Sequence, residues 1–354
     1  MKYFNEIFID KTKYGVKIQT GEYGKQGKHI IVDQGQNQIA GYTDREDGLF
    51  EEVPVIIFGD HTRVIKYIDQ PFFLGADGVK VLRSKDGNTD YKYLYYALKN
   101  VKIPNTGYNR HFKWLKESKI EYPDIKEQRK IVRILDKVSD IIQNRKRELS
   151  QLDDLVRARF VEMFGDPVSN SYGLPEATLP ELGKFGRGVS KHRPRNDPRL
   201  LDGEYPLVQT GDVANASLYI TSYNSTYSEL GLKQSKMWSK GTLCITIAAN
   251  IAKTAILEFD ACFPDSVVGF IANEKTNNIF IHYWFSFFQA ILESQAPESA
   301  QKNINLKILS ELKVIVPEKE KQNEFVDFVH QINKYKLKVE DSLKKLEILQ
   351  KSLM

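Results

Sequence analysis

The chain has 354 residues, enough for two domains that each bury a core of their own. Hydrophobic residues make up 41%, aromatics 11% and charges 27%, which excludes a disordered or fibrous chain. A net charge of only +5 excludes a binder that relies on a diffusely basic surface, so any charge that meets nucleic acid must be local or shared with partners. The first residues lack the apolar region of a signal peptide, and no apolar run reaches membrane-spanning length; a cytoplasmic protein without a membrane partner is expected. Cys244 and Cys262 lie in apolar, strand-like stretches and read as buried free thiols, with no disulfide or zinc spacing.

Residues 1–118 read as a globular half built from short β-runs between Gly, Asn and Asp turns. Strands are expected at 29–32 and 53–58, and a helix at 91–99. Gly59-Asp60-His61-Thr62-Arg63 forms a strand-end loop rich in hydrogen-bonding groups, either a base reader (His61, Thr62, Arg63) or a turn with an Asp cap. Arg110, His111 and Lys113 form a polar stretch that either meets a DNA backbone or links this half to the helix after it.

Residues 119–165 form a long helical region. Asp124 after Pro123, with Glu127 three residues on, is a capping-box-like start, and Gly165 followed by Pro167 is a stop. About 40 helical residues at about 1.5 Å each span roughly 60 Å. Positions 131, 135, 138, 142, 145, 149, 152 and 156 alternate steps of four and three and carry Ile131, Leu135, Val138, Ile142, Arg145, Leu149, Leu152 and Val156, a coiled-coil seam with one polar break.

Residues 166–312 read as a second globular half, with strands expected at 205–209, 242–247, 254–259 and 267–271 and a helix at 281–293. Residues 184–199 read as a loop with six Lys or Arg against one Asp. Such a loop can neutralise phosphates and reach base edges, or be a solvated surface; Lys191, His192, Arg193 and Arg195 are its candidates for DNA contact. Lys253, between two expected strands, is a further candidate. The entry of the first half carries no basic loop of this kind.

Residues 313–354 form the second helical region, and here a repeat emerges. Shifted by 194 positions, 119–160 aligns with 313–354 without a gap: Pro123 on Pro317, Gln128 on Gln322, Ile131 on Phe325, Leu135 on Val329, Val138 on Ile332, Leu149 on Leu343 and Leu152 on Leu346. Lys336 and Gln350 interrupt the second seam. In the same frame Arg110, His111 and Lys113 fall near Asn303, Asn305 and Lys307, which adds Asn303 to the candidates. The reading is therefore α+β: two globular halves with mixed or antiparallel twisted sheets, two long helices in an antiparallel coiled coil, and an internal pseudo-two-fold repeat. The two helices alternatively pack as bundle helices on their own halves.

Catalytic signatures are missing. There is no Gly-x4-Gly-Lys-Ser/Thr phosphate loop, and Gly186-Arg187-Gly188 lacks the rest of a dinucleotide fingerprint. There is no Asn/Asp-Pro-Pro-aromatic tetrapeptide, Pro264-Asp265 is not followed by Glu-x-Lys, and the six histidines show no metal spacing. A reader with no catalytic residue, metal or cofactor of its own is expected. Two other classes compete: a self-contained DNA methyltransferase or nuclease, and a coiled-coil adaptor or scaffold that reads no bases.

The Pro-x4-Gln entry of each helix, the Arg159-Phe160-x2-Met163-Phe164-Gly165-Asp166-Pro167 exit, Gly188-Val189-Ser190-Lys191-His192-Arg193-Pro194-Arg195, Val208-Gln209-Thr210-Gly211-Asp212-Val213 and Gly59-Asp60-His61-Thr62-Arg63 together resemble the specificity subunits of type I restriction-modification systems, over essentially the whole chain. The resemblance implies two target recognition domains, each reading one half of a bipartite, asymmetric site in double-stranded DNA. It implies helices that set the gap and bind two modification subunits, which carry S-adenosylmethionine and methylate adenine at N6. It further implies two motor-nuclease (restriction) subunits that use ATP and Mg. A rod of roughly 60 Å would let two readers sit more than one duplex turn of about 34 Å apart.

Overall fold

A computed structural model describes residues 1–75, 77–107, 109–248, 250–295 and 304–353. The chain forms two compact units, one of residues 1–147 with 339–354 and one of residues 148–338.

In the first unit, an antiparallel sheet takes its strands in the order Phe8–Asp10, Val79–Ser84, Val55–Gly59 and Ile65–Ile68. A smaller mixed sheet holds Gly41–Thr43, His29–Val32 and Phe72–Leu74, the last two parallel. Strand Val55–Gly59 is wholly buried, and period-2 alternation splits its side chains between two cores. Ile56 and Phe58 face helix Tyr91–Lys99 with Leu82, Leu94 and Leu98; Val55 and Ile57 face the small sheet with Val32, Phe72 and Leu74. A one-residue slip would exchange the two cores, so the register is strongly specified. The strand starts at Val55 rather than 53, after Pro54, which has no amide to donate to a ladder.

The second unit repeats this arrangement. Its main sheet runs Gly183–Arg187, Val267–Ala272, Leu243–Thr246, Thr254–Leu257 and Tyr219–Ile220. Its small sheet runs Ser225–Tyr227, Leu201–Leu207, Ala261–Cys262 and Met237–Trp238. Leu243 and Ile245 face helix Asn278–Gln295 through Phe280 and Trp284, while Cys244 faces Val208, Trp238 and Phe263. Both cysteines are buried and free, and burial pushes both thiols up. The expected strand at 205–209 lies instead at Leu201–Leu207, because Gln209 caps the short helix Thr210–Asn215.

The first long helix spans Ile125–Phe164. Asp124 Oδ1 accepts from the amides of Lys126 and Glu127, and Gly165 stops the helix at φ +75°, a conformation that side chains with a Cβ rarely adopt. The second spans Lys319–Leu353. Within each unit the two helices meet with opposite chain directions. In the first, Gln350 Nε2 donates to Ser139 Oγ at 2.7 Å and Lys146 pairs with Glu347 at 3.0 Å. In the second, Lys336 pairs with Asp153 at 2.6 Å while Phe160 packs against Phe325 with ring centroids 5.3 Å apart. Two of the expected polar breaks in the seam, Lys336 and Gln350, are thus hydrogen-bonded across it.

Seam positions Leu135, Val138, Ile142, Phe325 and Val329 are buried; Ile131, Leu149, Leu152, Ile332, Leu343 and Leu346 are half-buried. Ile131 packs on the core of its own domain, and Phe325, Val329 and Ile332 on the core of the second domain together with Val156 and Phe160. The seam therefore merges into each domain's core near the start of each helix.

The Pro-x4-Gln motif acquires a physical meaning. Gln128 and Gln322 are 1% and 0% exposed. Gln128 Nε2 donates to Pro123 O at 2.9 Å, and its Oε1 accepts from Thr89 Oγ1 at 3.1 Å and Asp90 N at 2.9 Å. Gln322 Nε2 donates to Pro317 O at 2.8 Å and Lys275 O at 3.0 Å, and its Oε1 accepts from Thr276 Oγ1 at 3.0 Å. Each amide ties the start of a long helix to the turn that begins the helix of its domain.

Replacing either amide by leucine leaves several buried partners unsatisfied and is expected to cost about 2–4 kcal/mol, read as a lower denaturation midpoint. A second prediction concerns His282, whose Nδ1 lies 2.9 Å from Thr254 Oγ1. Burial, assisted by nearby Lys336, lowers its pKa from 6.5 to about 4. The folded unit keeps the imidazole neutral, whereas the unfolded chain protonates it near its ordinary value. Its stabilising contribution is therefore full above that value and is lost progressively as pH falls towards 4, on the order of 2–3 kcal/mol. Urea titrations between pH 7 and 4.5 should show this slope, and His282→Gln should flatten it.

Candidate nucleic-acid interface

In each unit the loops that differ between the two halves gather at one end of the two sheets. In the first domain, the segment after strand Phe8–Asp10 carries Lys11, Lys13 and Lys17, and Lys17 Nζ pairs with Asp77 at 2.6 Å. Gln34 joins its own loop to two others. Its Nε2 donates to Asp77 O at 2.9 Å, its Oε1 accepts from His61 N at 3.1 Å, and its carbonyl accepts from Thr62 Oγ1 at 2.6 Å. Gly78, at φ +96°, lets this amide lie against the backbone: a Cβ there would come within 2.5 Å of Gln34 Nε2. Asp60 is buried; its Oδ1 accepts from Phe112 N at 2.8 Å and its carbonyl from His111 N at 2.7 Å.

The second domain sets the same loops around Asp265, which occupies the place of Asp77 between the two sheets. Arg195 pairs with Asp265 at 2.5 Å and Arg193 at 3.6 Å. His192 lies 3.0 Å from Asp197, which also pairs with Arg199 at 2.6 Å; the Arg199 guanidinium, ahead of His192, holds the Asp197 carboxyl well below the usual carboxylate range. Gln234 Oε1 accepts from the amides of Lys191 and His192 at 2.7 and 3.0 Å and so shapes the loop. Arg187, Arg195, Asp265 and Ser266 line a cavity of about 220 Å³ beside it.

Several expectations need correction. Residues 184–187 are not loop: they belong to strand Gly183–Arg187, paired with Val267–Ala272, so the basic loop begins at 188. The first domain does have a basic segment at the equivalent place, 11–17, hidden in the sequence because it is shorter and its lysines alternate with other residues. His111 is fully buried beneath Trp114, with ring centroids 5.3 Å apart, so its side chain cannot reach a ligand surface. The 59–63 segment is the turn between two strands with a buried Asp cap; Arg63 holds φ +62° there and donates to Ile103 O at 3.4 Å. Arg193 and Arg195 are not free cations but share one carboxylate.

Of the remaining candidates, Thr62, Arg110, Lys113 and Lys191 are exposed, and His61, Arg63 and Lys253 half-buried. Asn303 lies outside the described residues. Sequence reasoning missed Gln34, Asp77, Gln234 and Asp265, because each is defined by partners far along the chain. The one available signal was the match of Val32-Asp33-Gln34-Gly35 to Val208-Gln209-Thr210-Gly211, which marks the same strand exit in both halves. Among the described residues, no group of three or more His, Cys, Asp or Glu could hold a metal ion, and no helix is long and apolar enough to cross a membrane.

Comparison with known proteins agrees with this geometry. The model of the type I restriction modification DNA specificity domain matches twice, at residues 4–153 and 176–349. The specificity subunit of the type I restriction enzyme EcoR124I/EcoR124II of Escherichia coli is 22% identical over 365 residues, covering 96% of this chain and 88% of that protein. Two solved structures share the fold. The S subunit of a type I restriction-modification system from M. genitalium superposes with a TM-score of 0.59 at 18% identity, over 99% of this chain and 94% of that one. A chain from a structure addressing complex assembly and conformational transition of the type I R-M system gives 0.57 at 14% identity, over 99% and 94%. The chain therefore belongs to the type I restriction-modification DNA specificity family, as a non-catalytic specificity subunit that carries two copies of the family's domain.

Proposed function

We propose that each domain reads one half of a bipartite, asymmetric site in double-stranded DNA, and that the two long helices set the gap between half-sites. The observation that carries this reading is the repeated architecture with unlike loops. Equivalent strands deliver the loops in both domains, yet one cluster is built on lysines and amides around Asp77 and the other on arginines around Asp265. Phosphate contacts orient such a domain, whereas base-edge contacts specify a sequence, so different loop chemistry means different words.

Partner subunits supply the chemistry in this reading. Two modification subunits would bring S-adenosylmethionine and methylate adenine, and two restriction subunits would bring ATP with Mg, all in the cytoplasm with the DNA. The helices offer surface for such partners. Ile134 and Ile141, seven residues apart in the first unit, are 42% and 44% exposed. An apolar pair at that spacing marks one helix face, and exposed apolar surface is a common mark of an interface.

Methylome sequencing with and without the gene should show loss of one split adenine-methylation motif; an unchanged methylome in a host with an active modification partner overturns the reading. Exchange of residues 174–312 for another domain of the family should alter one half-site only, and alteration of both would refute one domain per half-site. Ile134→Lys with Ile141→Lys should weaken binding of the modification subunit by tenfold or more in sedimentation experiments, while the denaturation midpoint of the free chain stays within about 0.5 kcal/mol of the parent.

A further inference from the structure

Lys66 is a buried lysine in the first domain. Its side chain is 2% exposed, and burial pulls its amine below the ordinary lysine range. An ammonium in such a place costs several kcal/mol unless it is paired and hydrogen-bonded. Both partners lie in one loop: Nζ donates to Asn37 O at 2.6 Å and faces Asp33 Oδ1 at 3.5 Å. The same carboxylate oxygen accepts from Gly35 N at 2.8 Å. Cation and carboxylate together hold the backbone of residues 33–37 from beneath, and Gln34 ties that loop to the 60–62 turn and to Asp77.

Gln36 and Asn37 remain on the outer side of this braced loop. Both are exposed, and among the described residues neither side chain has a hydrogen-bond partner. A carboxamide presents a donor and an acceptor side by side. The major-groove edge of adenine presents the complementary pair, the N7 acceptor and the N6 amino donor. Such a pairing discriminates better when the backbone that carries the amides is held in place, because a mobile loop loses in ordering what it gains in contact. Lys17 and Arg110 lie near Asp77, to which Gln34 of the same loop is bonded, where they can meet phosphates and carry no sequence information. The counterpart in the second domain is not an amide loop but the short helix Thr210–Asn215.

We propose that Gln36 and Asn37 read an A·T base pair in the half-site of the first domain, and that Lys66 is the residue positioning them. The proposal rests on the one-domain, one-half-site reading above.

The test is methylome sequencing of cells that carry the assembled system with Gln36→Ala and Asn37→Ala together, or with Lys66→Met. Both positions of the double variant are exposed, so the fold should persist. The expected result is a loss of about ten- to a hundredfold in discrimination at one or two A·T positions of one half-site, with the other half-site read at full stringency. Lys66→Met should relax the same positions; if that variant fails to fold and methylation disappears, the surface variant decides alone. An unchanged motif in the double variant overturns the proposal, as does relaxation of both half-sites or of G·C positions only. A parent system without any split motif would instead refute the half-site reading itself, so the two failures are distinguishable.

Discussion

A single buried carboxamide at the start of each long helix is the contact on which the rest of the architecture turns. At Pro123 and Pro317 the chain leaves an edge strand and enters a helix within a few residues. Proline brings no amide to satisfy in that crowded corner, but its carbonyl still needs a donor. Gln128 and Gln322, five residues on, return one, and their oxygens take the hydroxyls of Thr89 and Thr276. A glutamate would bury a charge and a leucine would leave three or more groups unsatisfied, so glutamine suits both places. Through this contact the direction of each long helix is coupled to the helix that covers its domain's main sheet.

The doubly buried central strands, Val55–Gly59 and Leu243–Thr246, serve a related purpose. Their side chains divide between two cores, so their register cannot shift without disrupting both. Loops attached to such strands can change length and charge while their roots stay in place. In both domains an aspartate at the same position, Asp77 or Asp265, accepts the cations of the entry segment. In these entry segments Lys17, Arg193 and Arg195 are already paired, and contact with a polyanion would proceed by exchange of partners.

Much was legible in the sequence because it rests on local rules. Helix Tyr91–Lys99 announces itself by Asp90, whose side chain accepts from the amides of Lys92 and Tyr93. The long helix begins and ends at the residues that its cap and its glycine mark. The candidate interface was less legible. His111 looked available because polar residues usually are, yet it packs under Trp114 and serves Asp60 through its backbone amide. Arg193 and Arg195 looked like free cations because their carboxylate, Asp265, lies 70 residues from Arg195.

The sequence by itself determined the duplication, the long helices with their caps, and the strands with continuous or alternating apolar patterns. These depend on periodicity and on contacts within a few residues. Only the tertiary structure decided which loops stand together, which cations are already neutralised, and why Pro-x4-Gln occurs twice. Each of those depends on groups 27 to 70 positions apart, as in Gln34 with His61, Thr89 with Gln128, Gln322 with Thr276 and Arg195 with Asp265. Pairings at that distance are set by how the sheets stack, and no local pattern encodes them.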